Sequence, residues 1–349
     1  MIDDLEQSSI TETPLLSSSQ ATKKHLRGSS LLLIGRVIAI VANFVIQILV
    51  VRYLSKSDYG AFAYAISLAA FGSSLTVFGF DKTITRFLPM YQEKGEHPKV
   101  FGSILMMFTT VFSLGFFLVL IVLGLRGWIS ESLVRDPLSA QLLFLLIFLT
   151  PIHALDSLLV GMLAIFSKPS SIFFQRYVLV PSLKLSVVLL LILFRSDVYF
   201  LSIGYVFAAL IGITIYYGIL MRDLRRQGLW KHFNRQHINF PIKEIFGFST
   251  PLLISSFVFM ARTQLVIVML EYFQNTIHVA EYRAVEPFAN LNTTVVQSFS
   301  LLFMPTLARM FARKEEQAID ELYRQSTVWM AVISFPVFLL TFSLAPPLT

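Results

Sequence analysis

Long apolar stretches alternate with short polar connections along the whole chain. Nine stretches are each long enough to cross a bilayer, since a helix needs about 20 apolar residues to span a hydrocarbon core. They lie near residues 29–51, 59–80, 101–125, 139–165, 172–194, 199–220, 245–270, 279–303 and 325–346. None shows the strict alternation of apolar and polar residues that is typical of membrane strands. The pattern predicts an all-α polytopic transmembrane helical bundle.

The polar connections alternate in positive charge. If the N-terminus is cytoplasmic, the inside segments hold 19 of the 28 Lys and Arg residues, the outside segments hold 6, and 3 lie within helices. Cytoplasmic loops of membrane proteins carry an excess of Lys and Arg, so this bias predicts a cytoplasmic N-terminus. It also explains the net charge of +7 without a nucleic-acid partner.

Composition narrows the class of protein further. Of the 349 residues, 55% are hydrophobic and only 14% are charged, so little of the chain remains for domains outside a membrane. Cysteine is absent, which excludes disulfides, thiolate metal sites and cysteine nucleophiles. The sequence also lacks a phosphate loop and the H-E-x-x-H and G-x-S-x-G motifs. We therefore predict no enzymatic activity, no metal and no cofactor.

A basic connection divides the chain into two sets of helices. We predict a disordered cytoplasmic tail over 1–28, a first lobe of six helices over 29–220, a basic cytoplasmic linker over 221–244 and a partial second lobe over 245–349. The linker is expected to rest on anionic headgroups, with docking of a substrate lipid as the alternative. Helices one and seven are followed by similar segments, which is typical of pseudo-symmetric transporter lobes around a central cavity. With about three helices the second lobe is incomplete, and we expect a truncated chain or a fragment.

Polar side chains inside the membrane are the candidates for function, because a basic residue at mid-bilayer costs about 2.5–3.5 kcal/mol on insertion scales. Arg36, Asn43 and Gln47 fall on one line of the first helix. They could face a cavity, where Arg36 would bind a pyrophosphate, or Arg36 could extend to the headgroups. Arg262 lies deeper, in the seventh helix. It could bind an anion or pair with Glu286.

Two further sets of polar residues complete the candidates. The eighth predicted helix carries a stripe that could bind sugar hydroxyls or bond to neighbouring helices: Glu286, Asn290, Thr293 and Gln297. Asp156 and Lys184 are expected to form a structural pair, with a protonatable coupling site at Asp156 as the alternative. His153, one turn before Asp156, is expected to be a packed side chain rather than a proton relay.

Several short motifs resemble one family of membrane proteins. The segments 54–65 and 78–87, read LSKSDYGAFAYA and FGFDKTITRF, resemble the second helix of polysaccharide-type flippases and its continuation. Segments 249–252, 279–284 and 304–309 are similar to that family's later helices. The family belongs to the multidrug/oligosaccharidyl-lipid/polysaccharide exporter superfamily, and the similarity covers about residues 29–345.

The resemblance implies a flippase of the inner or plasma membrane. Its substrate would be a polyprenyl-pyrophosphate-linked oligosaccharide, moved to the outer leaflet by alternating access for surface polysaccharide biosynthesis, including O-antigen. Membrane lipids, a polysaccharide polymerase and glycosyltransferases are the expected partners. Two alternatives stay open: an ion-coupled drug antiporter of the same superfamily, which would use membrane acids and aromatic residues, and a non-transporting scaffold of a polysaccharide assembly complex.

Overall fold

A computed structural model describes residues 34–167, 169–226, 238–287, 290, 293, 310 and 316–343. These residues are helical, with short connections, and the all-α prediction is confirmed. Seven of the described helices are long and apolar enough to cross a membrane, judged by length and composition. Many of their large apolar side chains point outward, including Phe117 (61% exposed) and Leu193 (73% exposed). Such faces need hydrocarbon around them, so this is a multi-pass membrane protein.

The helices follow the predicted spans with two differences in the first half. In chain order they are α1 (Ile34–Tyr53), α2 (Lys56–Val77), α3 (Phe80–Glu93), α4 (His97–Gly124), α5 (Pro137–Leu146), α6 (Leu149–Phe166), α7 (Ser170–Leu193), α8 (Val198–Arg226) and α9 (Ile242–Phe273). The predicted second span therefore continues past a break into α3. The predicted fourth span, 139–165, is not a single helix, because a turn at 147–148 separates α5 from α6.

Local sequence explains where two of these helices begin. Ser55 caps α2, and its hydroxyl accepts a hydrogen bond from the backbone N–H of Asp58 at 3.1 Å. Asp136 caps α5 and accepts from the N–H of Ser139 at 2.8 Å, with Pro137 at the first helical position. Short polar caps of this kind satisfy backbone donors that a helix leaves unbonded. Proline fits there because it has no N–H to satisfy.

The break between α2 and α3 lies at Phe78 and Gly79, which both have a left-handed backbone (φ 55° and 72°). Gly79 accepts this conformation without the cost that a β-carbon imposes. A β-carbon on Gly79 would also lie 2.9 Å from Cβ of Leu252 and 3.0 Å from the carbonyl oxygen of Ser249. The break therefore lets α9 approach the chain closely at this point.

The core is built around α6, which packs against α2, α3, α4 and α8. Its buried residues Leu158, Leu159 and Met162 join a cluster with Phe80 and Leu88 of α3. The helix α9 packs against α2 and α3. The structure thus places the first helix of the predicted second lobe beside helices of the first.

The chain divides into two compact units, one up to Thr276 and one from Ile277. In the second unit, residues 277–287 are helical and α10 spans Glu316–Ser343. Most of the predicted eighth span, 279–303, lies outside the described residues. The predicted tail (1–28) also lies outside them, as do residues 227–237 of the predicted linker (221–244). The division into a six-helix first lobe and a partial second lobe stays a prediction.

Candidate functional site

A cleft of about 700 Å³ opens between α2, α3, α6 and α9, all within the first unit. Its walls carry five serine hydroxyls, two charged side chains, a histidine and a few apolar groups. They are Ala70, Ser73, Ser74, Val77, Asp81, Lys82, His153, Ser157, Ser255, Ser256, Phe259 and Met260. A hydroxyl both donates and accepts hydrogen bonds, as a sugar hydroxyl does, so this surface suits a polar ligand.

The two charged residues of the cleft, Asp81 and Lys82, lie in the first turn of α3. They reach the cleft because the break at Gly79 redirects the chain there. Among the described residues, Oδ1 of Asp81 is buried and has no hydrogen-bond partner. A buried carboxylate oxygen without a partner is costly, so this atom is available to a ligand, a proton or water. Lys82 is exposed to the cleft.

Hydrogen bonds and ring contacts fix α3 against the first half of α9. The hydroxyls of Thr83 and Ser249 are 2.7 Å apart, and both side chains are fully buried. Tyr91 donates a hydrogen bond of 2.7 Å to a carboxylate oxygen of Glu244. The Arg86 guanidinium lies 4.3 Å from the centre of the Phe248 ring. These contacts join α3 to the part of α9 that precedes Ser255 and Ser256.

Arg262 lies one turn beyond the part of α9 that lines the cleft. It is exposed, and its guanidinium carbon is 5.6 Å from the centre of the Phe259 ring. Phe259 itself lines the cleft, as does Ser255, which shares the face of Arg262 at a spacing of seven residues. Arg262 is therefore placed at the margin of the cleft, and its role in anion binding stays a prediction.

The predicted polar stripe on α1, formed by Arg36, Asn43 and Gln47, lies away from the lining of the cleft. None of its three residues lines the cleft, as far as the described residues define it. Asn43 donates a hydrogen bond of 2.7 Å to the carbonyl of Ala39 in its own helix. Gln47 donates to the hydroxyl of Tyr59 at 3.2 Å and so joins α1 to α2. Arg36 is half-buried and follows Gly35, which packs against rings of α7.

The stripe of the eighth predicted helix belongs to the second unit. Glu286 accepts a hydrogen bond of 2.6 Å from Arg283, three residues earlier. Asn290 and Thr293 are helical and exposed. Gln297 lies outside the described residues. The sugar-binding role of these four residues stays a prediction.

Asp156 and Lys184 line a second, smaller cavity of about 60 Å³ inside the first unit. The Lys184 ammonium lies 5.6 Å from the centre of the Tyr205 ring. His153 lines this cavity as well as the cleft. Both residues of the predicted pair therefore line one cavity. The choice between a structural pair and a coupling site stays open.

The described ranges bring no three His, Asp or Glu side chains together as a metal site. The arrangement is instead one of hydroxyls and isolated charges inside a membrane bundle. Residues 25–311 match the model of a family described as polysaccharide biosynthesis protein. The chain belongs to this family. The comparisons with curated proteins and with solved structures each found no match.

Family membership gives the protein a role in polysaccharide biosynthesis and confirms the resemblance that the motifs indicated. The sequence analysis selected Arg262 as a candidate, but it did not select Asp81, Lys82 or the serine pairs. A signal was present, since Ser73-Ser74 and Ser255-Ser256 are adjacent hydroxyl pairs within apolar helices.

Proposed function

We propose that the protein is a flippase. It moves a polyprenyl-pyrophosphate-linked oligosaccharide from the cytoplasmic to the outer leaflet of the plasma membrane by alternating access, with its own N-terminus in the cytoplasm. One observation carries this proposal: a cleft lined by hydroxyls beside Lys82, inside the membrane bundle of a member of the polysaccharide biosynthesis family. Serine hydroxyls would exchange for water around the sugar.

The basic groups supply the contacts to the pyrophosphate. Lys82 would bind it as a compact positive charge, and Arg262 at the margin could add bidentate hydrogen bonds. The negatively charged headgroup then moves out of an interior-negative cell. A membrane potential contributes about 2.3 kcal/mol per charge per 100 mV in that direction. No covalent bond changes, so transport leaves the substrate chemically unchanged.

One feature supports the alternative of an ion-coupled antiporter for organic cations. Asp81 presents a buried carboxylate oxygen that has no partner among the described residues, and Phe259 lies in the same cleft. A carboxylate beside an aromatic ring is a suitable site for a cation. We favour the flippase because Lys82 adds a positive charge to the same cleft, which suits an anionic headgroup, and because the family is described as polysaccharide biosynthesis protein.

Transport by the purified protein tests the proposal directly. The full chain is reconstituted in liposomes with a fluorescent polyprenyl-pyrophosphate oligosaccharide. An impermeant quencher then shows how much of the labelled lipid is in the outer leaflet. We expect Lys82→Gln to slow translocation at least about tenfold, the loss that one charge-assisted hydrogen bond predicts. Lys82→Arg should retain most activity. The exposed Lys94, outside the cleft, provides the matched control Lys94→Gln.

Several outcomes would overturn the flippase or the binding site that we assign to it. Normal translocation in both Lys82→Gln and Arg262→Gln would contradict the binding site that we assign. A change in the mass of the substrate would indicate an enzyme. The scaffold would be favoured by a combination of two results: the purified protein does not transport in liposomes, and cells that lack the protein lose their surface polysaccharide. Drug resistance that Asp81→Asn abolishes in a pump-deficient strain would favour the antiporter.

A further inference from the structure

A separate apolar groove of about 290 Å³ lies between α4, α6 and α8, and Ile238 covers part of it. Its walls are almost entirely hydrocarbon and aromatic. They are Val100, Phe101, Ile104, Leu105, Phe108, Leu159, Met162, Phe166, Tyr217, Leu220, Met221, Leu224 and Ile238. No part of this wall is shared with the cleft.

The groove is closed at its base and open at its rim. Val100, Met162 and Leu220 at the base are at most 2% exposed, whereas Leu105 and Tyr217 at the rim are 46% and 55% exposed. Protein interiors are packed nearly as densely as organic crystals, and walls without contact partners lose dispersion energy. An apolar space of this size that opens towards lipid is therefore suited to a hydrocarbon chain.

Positive charge lies at one end of the groove. The last five residues of α8 include Arg222, Arg225 and Arg226. Asp223 compensates one of them, since it lies 3.5 Å from Arg222. Arg225 is exposed and follows the groove residue Met221 by one helical turn on the same face. This end lies on the side that the charge bias assigns to the cytoplasm, where basic pockets between membrane helices bind anionic lipid headgroups.

The groove does not lead to the cleft. Both use α6, but His153 and Ser157 face the cleft, whereas Leu159, Met162 and Phe166 face the groove. At 100° per residue, Ser157 and Phe166 point about 180° apart. The body of α6 therefore separates the two spaces. The groove and the cleft are thus two separate spaces.

We propose that the groove binds one anionic glycerophospholipid of the cytoplasmic leaflet. One acyl chain would fill the apolar space, and the phosphate would accept hydrogen bonds from Arg225. This site is independent of the proposed transport function. Because the lipid would contact α4, α6 and α8 together, it would stabilise the packing of these three helices.

Native mass spectrometry of the full chain tests this site, with equal amounts of phosphatidylglycerol and phosphatidylcholine as probes. We expect phosphatidylglycerol to be retained in about fivefold excess, the preference that one basic residue near a phosphate gives. Arg225→Gln should remove that preference, while Lys94→Gln, which changes an exposed lysine outside the groove, should preserve it.

A second pair of variants tests the apolar part. Leu105→Trp places a large ring at the rim and should reduce lipid retention. Leu120→Trp lies on the same helix at a similar exposure (50% against 46%) but outside the groove, and it should retain lipid. Equal retention of the two phospholipids, or an unchanged preference in Arg225→Gln, would overturn the proposal. Displacement of phosphatidylglycerol by polyprenyl phosphate would instead assign the groove to the carrier lipid and would also overturn it.

Discussion

The hydroxyl oxygen of Ser249 lies 2.7 Å from that of Thr83, next to the break between α2 and α3. The Thr83 hydroxyl also donates a hydrogen bond of 3.0 Å to the carbonyl oxygen of Gly79. A short chain of hydrogen bonds thus links the broken helix to α9. The relation is important because the turn that follows the break presents Asp81 and Lys82 to the cleft.

Removal of this link should destabilise the protein without changing its charge. We expect a double-mutant cycle of Thr83→Val and Ser249→Ala to give a coupling energy of about 1 kcal/mol, the usual net worth of a buried hydrogen bond. Thermal unfolding in detergent measures it. Thr85→Val is the control, because Thr85 is exposed and, among the described residues, its hydroxyl donates to the carbonyl of Lys82 in its own helix. Strictly additive effects would show that the link contributes nothing.

The break itself can be tested with two glycines of nearly equal backbone conformation. Gly79 and Gly95 have φ of 72° and 71°, so alanine should cost each about 1–2 kcal/mol of backbone strain. Only Gly79 is crowded by α9, whereas Gly95 has open space around it. We expect Gly79→Ala to be more destabilising than Gly95→Ala by about 1–3 kcal/mol, the usual cost of overpacking. Equal losses in unfolding free energy would mean that α9 does not pack closely at the break.

Variants of Asp156 and Lys184 should distinguish a structural pair from a coupling site. If they stabilise each other, Asp156→Asn or Lys184→Met alone should cost up to about 3–5 kcal/mol, and the double variant should recover much of that loss. If Asp156 is a coupling site, Asp156→Asn should keep its unfolding temperature and lose the dependence of transport on a proton gradient. Unfolding and proteoliposome transport, measured on the same preparations, separate these results.

Membrane orientation can be tested by cysteine labelling, because the natural chain has no cysteine. Lys94→Cys and Ser130→Cys place single thiols at exposed positions in connections that the charge bias assigns to opposite sides. We expect an impermeant maleimide to label Ser130→Cys in intact cells and Lys94→Cys only after permeabilisation. The reverse pattern would contradict a cytoplasmic N-terminus.

The sequence alone determined the class of protein and most of the helices, because the length of an apolar run is a local property that the bilayer thickness sets. It also determined the family, since the motifs that carry the resemblance are short and local. The predicted fourth span was wrong as one helix, because hydropathy does not detect a single turn between two apolar helices. The continuation of the second span into α3 depended on two left-handed residues, Phe78 and Gly79, that no hydropathy pattern marks.

Only the tertiary structure decided which polar residues share a space. Periodicity placed Arg36, Asn43 and Gln47 on one face of α1, but it could not show that Gln47 bonds to Tyr59 while Asn43 bonds to its own helix. Asp81, Ser157 and Ser255 are far apart in the chain and meet in one cleft because four helices converge there. Such convergence depends on long-range packing, which one-dimensional patterns of hydropathy and charge do not encode.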